Sequence, residues 1–220
     1  MKKSKKILIT LIIITILLIA GLLAYKYLNN DKQEVKIIKK IPGYGYQLKE
    51  NATSLYKDEF ENLDKILSKS NVNYEDYAKQ IAKLFIIDFY TLDNKLSKND
   101  IGGIEFIMDD MKDNFIEQSR STFYKYLEVK SKKRKQDLPK VSEINDVKLE
   151  NTTFTITNEY SETTTTTVKS RTRTTTAKGR EVDAYKITIS WDYKENLGYE
   201  KEAKMIIVKE GKKLYIVEMD

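Results

Sequence analysis

Residues 7–24 read ILITLIIITILLIAGLLA, 18 positions without a charge, interrupted only by Thr10, Thr15 and Gly21. That approaches the about 20 apolar residues a helix needs to cross a bilayer. Past Asn29–Ile41, a polar stretch holding a Val35-Lys-Ile37-Ile38 island, and the turn Pro42-Gly43-Tyr44-Gly45-Tyr46, the period becomes helical. Leu48, Ala52, Leu55, Tyr56, Phe60, Leu63, Ile66 and Leu67 recur at steps of three and four, as one buried stripe requires. A second stripe, Tyr77, Ala78, Ile81, Leu84, Phe85, Asp88 and Leu92, opens after Asn73, which has the chemistry of an N-cap. It is apolar on nearly all sides between Leu84 and Tyr90, which predicts a central helix. A third helix is expected from Ile104 to Leu127, with Ile107, Met111, Phe115, Thr122, Phe123 and Tyr126 facing in. After the basic linker KSKKRKQDLPK (Lys130 to Lys140) the period falls to two. Val147 and Leu149, then Phe154 and Ile156, predict strand pairs broken at Asn151; Val182 to Tyr193, Lys204 to Lys209 and Lys213 to Glu218 predict three more strands, the last two joined by a tight hairpin at Glu210-Gly211-Lys212. Strands linked by short turns pair antiparallel. The fold class expected is therefore α+β, with an N-terminal transmembrane helix and then three helices packed on a curved antiparallel sheet.

Charge refines this layout. The chain carries a formal +6, but Lys2, Lys3, Lys5, Lys6 and Lys26 supply five of those charges, leaving +1 on the last 192 residues. The soluble part is nearly neutral, which argues against a nucleic-acid binder. Four lysines precede the apolar run, no acid occurs before Asp31, and Tyr25 and Tyr27 follow at the far interface. The positive-inside rule then keeps the N-terminus cytoplasmic and sends the rest of the chain outside. The two readings of the run are an uncleaved single-pass anchor and a cleaved signal peptide. The expected division is a cytoplasmic tail at 1–6, a transmembrane helix at 7–25, a stalk at 26–46 and an extracytoplasmic domain at 47–220. That domain holds helices over 47–129, the linker over 130–140 and strands over 141–220, with a Thr-rich arm at 161–180. The chain has no cysteine and no histidine. Thiolate and imidazole chemistry are thereby excluded, and no cofactor or metal is expected. A cysteine-free exported domain rich in Lys, Ile, Asn and Tyr suits a low-GC Gram-positive bacterium.

Helices followed by antiparallel strands ending in KMIIVKEGKKLYIVEMD resemble the nuclear-transport-factor-two-like cone fold. With a basic tail and one membrane helix, the layout is similar to the bitopic scaffold subunit of type IV secretion and conjugation machines. The segment FIIDFYTLDNKLSKNDIGGIEF (Phe85 to Phe106) looks like that of anchored proteins of low-GC Gram-positive bacteria. The resemblance covers 47–220 at the level of layout and assigns no residue a role. It implies a non-enzymatic scaffold with protein partners, homo-oligomers among them. The fold also hosts isomerases and binding modules, so fold alone does not decide function.

Asp88 is the sharpest candidate for chemistry, because a carboxylate within LFIIDFY must be paired or hydrogen-bonded to stay ionised. One reading makes it a base in a cone pocket with Tyr90, Tyr77 or Tyr124 as donors, as in the ketosteroid-isomerase-like members of that fold. The other gives it backbone N–H donors or a cation at the helix–sheet seam. Asp93, Lys95, Lys98 and Asp100 form a polar loop that reads either as a partner surface or as turn and cap residues. Asp109, Asp110 and Asp113 lack the spacing of a calcium loop and read as a solvated face. Lys132, Lys133, Arg134 and Lys135 in the linker, and Arg171 and Arg173 in the arm, are candidate contacts to anionic wall polymer, lipid headgroups or protein. A wall or lipid sensor using that arm is the third functional reading, beside scaffold and pocket domain.

Overall fold

The computed structural model describes residues 14–22, 35–131, 133–156, 166–168, 171–173 and 179–220. Residues 1–36 and 37–220 are two separate units. In the first, helix α1 occupies residues 14–22, all exposed. Among the described residues no helix is long and apolar enough to cross a membrane, and the transmembrane helix expected over 7–25 is corrected on that finding. Residues 7–13 and 23–25 of that span lie outside the described ones.

The second unit opens with β1 (Ile37–Lys40), inside the stretch read as a stalk or an edge strand, which pairs antiparallel with β2 (Gln47–Lys49). Leu48 therefore lies on a strand and not in the first helix. The turn between the strands buries Tyr46 completely. Helix α2 (Ser54–Leu67) begins where the Thr53 side chain accepts the Tyr56 N–H. It buries Tyr56, Phe60, Leu63 and Leu67, a stripe at steps of four, three and four. Helix α3 (Tyr74–Phe89) starts at Asn73, whose side chain accepts the N–H groups of Glu75 and Asp76. Its run Leu84-Phe85-Ile86-Ile87 has no more than 1% exposure. α3 packs on α2 and against the sheet, as its all-round apolar surface requires. Each large side chain so buried contributes about 1.5–3 kcal/mol.

The long third helix does not form. Single 3-10 turns at Ile104–Phe106 and Asp109–Met111 precede a short α4 (Lys112–Ser121). Gly103, at φ 74, turns the chain left-handed, and Ile107 and Met108 are extended, so no continuous helix can run through. Ile107 instead bridges Ile216 at the edge of the sheet. Met111, Thr122 and Tyr126, expected to face inward, are exposed.

The sheet has the antiparallel order β3-β6-β7-β8, built from Val141–Ile156, Arg180–Tyr193, Glu202–Glu210 and Lys213–Met219. Between β3 and β6, β4 (Thr166–Val168) and β5 (Arg171–Arg173) pair antiparallel within the Thr-rich arm. The rest of 161–178 lies outside the described residues. β3 is one strand of 16 residues, unbroken at Asn151. The odd-to-even change of its apolar positions moves the buried face and leaves the ladder intact. Val147 and Leu149 pair with Ile189 and Ile187 over the helices; Phe154, opposite Val182, joins a second apolar cluster on the other face with Ala184, Val208 and Tyr215.

Candidate functional site

The Asp88 carboxylate is held on both oxygens. Lys95 forms an ion pair with Oδ1, and the Gly103 N–H donates to Oδ2 at 2.7 Å. The Lys95 side chain is 4% exposed and that of Asp88 24%. Burial pushes this carboxyl up, but the Lys95 charge and hydrogen bond and the Gly103 amide outweigh it and hold it below the usual carboxylate range. The loop that brings Lys95 back to α3 is braced along its length. Asp100 closes it by accepting the Leu96 N–H at 2.9 Å, and Asn51 and Asn94 exchange side chain-to-carbonyl hydrogen bonds at 3.3 and 3.2 Å. From the linker, Arg134 donates to the carbonyls of Lys95 at 2.9 Å and Asp93 at 2.6 Å.

Asp88, Lys95, Asp100, Asn51 and Asn94 line a cleft of about 330 Å³ between β2, α2, the end of α3 and the 94–105 segment. Its second carboxyl is Glu105, which accepts the Tyr56 O–H at 2.9 Å and the Gln47 N–H at 3.0 Å. Burial pushes the Glu105 carboxyl up to about 7, with the neighbouring Asp88 charge adding to it; the Gln47 amide, the Tyr56 hydroxyl and the Lys49 charge only partly offset this. Ile104 and the fully buried Phe106 flank Glu105 and fix its 3-10 turn.

None of the expected tyrosine donors reaches the cleft. Tyr124 donates to the Phe89 carbonyl at 2.7 Å and accepts the Gly102 N–H at 3.0 Å. Tyr77 shares a hydrogen bond of 2.6 Å with Tyr46. Tyr90 packs its ring on Trp191 with centroids 4.8 Å apart. The tyrosine that lines the cleft is Tyr56, read from the sequence as a core residue only.

No family model, curated protein or solved structure matches the chain.

The other candidates divide. Lys95 and Asp100 belong to the cleft wall, Lys98 is exposed, and the exposed Asp93 carboxylate sits 3.9 Å from Lys140. Arg134 braces the loop, whereas Lys133 and Lys135 are exposed. Lys132 and the side chains of Arg171 and Arg173 lie outside the described residues. Asp109 pairs with Lys112 at 2.5 Å. The long outer edge of β3 was not read from the sequence. Among the described residues, β3 pairs on one side only, with β6.

Glu105 gives the fold a pH dependence of definite sign. Its folded-state value of about 7 lies above the ordinary 4.5, so the folded protein binds the proton more tightly than the unfolded chain does. Its stabilising contribution is complete below about 4.5 and is lost as pH rises to about 7. Glu105→Gln can keep its amide oxygen as acceptor for the Gln47 N–H and turn its NH2 toward the Tyr56 hydroxyl oxygen, and it removes the titration. Melting temperatures followed between those pH values should fall for the native chain and stay level for the variant. Parallel curves would rule the assignment out.

Proposed function

We propose that this domain is a non-enzymatic assembly component of a cell-envelope machine, joining copies of itself through the open edge of β3. The observation that carries the reading is the composition of that edge. From Asn151 to Ile156 it reads NTTFTI, six residues without a charge or a proline. Natural sheets protect their edges with lysine, proline or short strands, and this stretch uses none of them. The two bulges of β3 lie at its other end, between Val141 and Asp146.

A twofold pairing of two such edges centred on Thr153 sets Asn151 opposite Thr155 and Thr152 opposite Phe154, with no like charges facing. The engagement of Asp88 with Lys95 and Gly103 supports the non-catalytic part of the reading, since no free base is left at that position. The lysines and apolar run of residues 2–24 support a place at the envelope, and the order of helices followed by antiparallel strands, which resembles that of secretion and conjugation scaffolds, supports that class of machine.

Thr153 is exposed, so Thr153→Lys leaves the core alone and puts two lysines face to face across the twofold axis. In a nonionic detergent the full chain should sediment as a dimer and the variant as a monomer with an unchanged melting temperature. A monomeric native chain, or a variant that still dimerises, sinks the edge-pairing reading.

A further inference from the structure

We infer that the cleft between β2, α2 and the 94–105 segment binds an ammonium group, with Glu105 as its counter-ion. The argument starts from what the cleft walls already satisfy. Asp88 has its cation in Lys95. Lys112 is paired with Asp109, and Lys49 stands 4.0 Å from Asp100. Glu105 differs: its hydrogen-bond partners are a hydroxyl and a backbone amide, both neutral. Asn94 lines the same cleft, and among the described residues its buried Oδ1 has no hydrogen-bond partner. Both deficits are on the acceptor side, and one of them is a carboxyl that a bound cation would ionise. A ligand that answers both brings several N–H donors and a positive charge, which is the inventory of an ammonium group.

The alternatives fit less well. Three lysines line the cleft with three acids, but an anion would meet lysines already engaged, Lys95 by Asp88, Lys112 by Asp109 and Lys49 near Asp100, and among the described residues no group of three acidic side chains is arranged to hold a metal ion. Binding also has a proton signature. The charged groups facing Glu105 include Asp88 from α3, Lys49 from β2 and Lys213 from β8, and a cation placed against it favours the ionised carboxylate. Below about pH 7 the ligand therefore drives a proton off the protein.

Two sources supply this chemistry, a free small amine or a lysine side chain of a partner, and both are independent of the β3 edge. The test uses the full chain in nonionic detergent at about pH 6.5, with putrescine, acetyl-lysine methylamide, butanediol and succinate as probes in calorimetry. At least one amine should bind, releasing up to about one proton per ligand as read from two buffers of different ionisation enthalpy. Glu105→Gln should weaken that binding by about tenfold or more. Preference for putrescine supports a free amine, and preference for the lysine derivative supports a partner side chain. Should the variant not fold, the carboxyl carbon resonance of Glu105 in the native chain decides, shifting toward the ionised value only when an amine is added. The inference is overturned if butanediol or succinate binds as well as the amines, if neither amine binds at millimolar concentration, or if the folded variant binds unchanged.

Discussion

Asp88→Ala should cost the domain about 3–5 kcal/mol, the range expected when one member of a buried ion pair is removed. The loss falls on the groups left behind. The Lys95 ammonium, on a side chain 4% exposed, keeps its charge without a counter-ion, and the Gly103 N–H loses its acceptor. The quarter of the Asp88 side chain still open to water lets solvent reach the site and puts the figure at the lower end of that range. Urea unfolding of native chain and variant measures it. Replacing the pair together, as Asp88→Leu with Lys95→Met, leaves no orphaned charge and should restore most of the stability. A single variant within about 1 kcal/mol of native would mean that the pair does not hold the loop to α3.

The second large effect is expected at the glycines opposite Asp88. A Cβ on Gly102 would lie 2.3 Å from the Asp88 carbonyl oxygen and 2.5 Å from its carbon. That is backbone of the central helix, fixed on all sides by core packing, and it cannot rotate away. A Cβ on Gly103 would meet the Phe85 ring at 2.6 Å, at a φ of +74 that side chains rarely adopt. Overpacking a tight site costs about 1–3 kcal/mol and occasionally more, and the left-handed backbone adds about 1 kcal/mol. Gly102→Ala and Gly103→Ala should each therefore destabilise by about 3 kcal/mol or more in thermal or urea unfolding. Gly198→Ala isolates the backbone part of the effect. Its φ is +79 but nothing lies within 4 Å of the added carbon, so it should cost only about 1 kcal/mol. Equal losses at Gly198 and Gly103 would show that steric contact with α3 is not what these glycines avoid.

Much of the framework was legible in the chain. The stripe from Tyr56 to Leu67, the Asn73 cap, the all-round apolar α3 and the alternating strands up to the Gly211 hairpin each follow from periodicity and local chemistry. The segment 104–127 did not, because Ile107, Met111 and Phe115 keep helical spacing while Gly103 and the extended Ile107 and Met108 serve a different purpose, docking the chain on α3 and the edge of β8. That misreading also concealed Glu105, which falls outside the helical stripe. The usable signal was its setting, an acid between Ile104 and Phe106, the same kind of setting that marked Asp88 within LFIIDFY.

By itself the sequence determined which residues are apolar and at what period, and hence the α+β class, the central helix and the strands. It also determined that Asp88 needs a partner, because ionised carboxylates are costly to bury alone. Only the tertiary structure decided which partner. Lys95 lies seven residues on and Gly103 fifteen, and a fold must close the loop between them before either reaches the carboxylate. Tertiary packing likewise set Tyr56 and Gln47 against Glu105 and, among the described residues, left one side of β3 unpaired. Periodicity records which face of an element is buried, whereas pairing across the chain depends on how the elements come together.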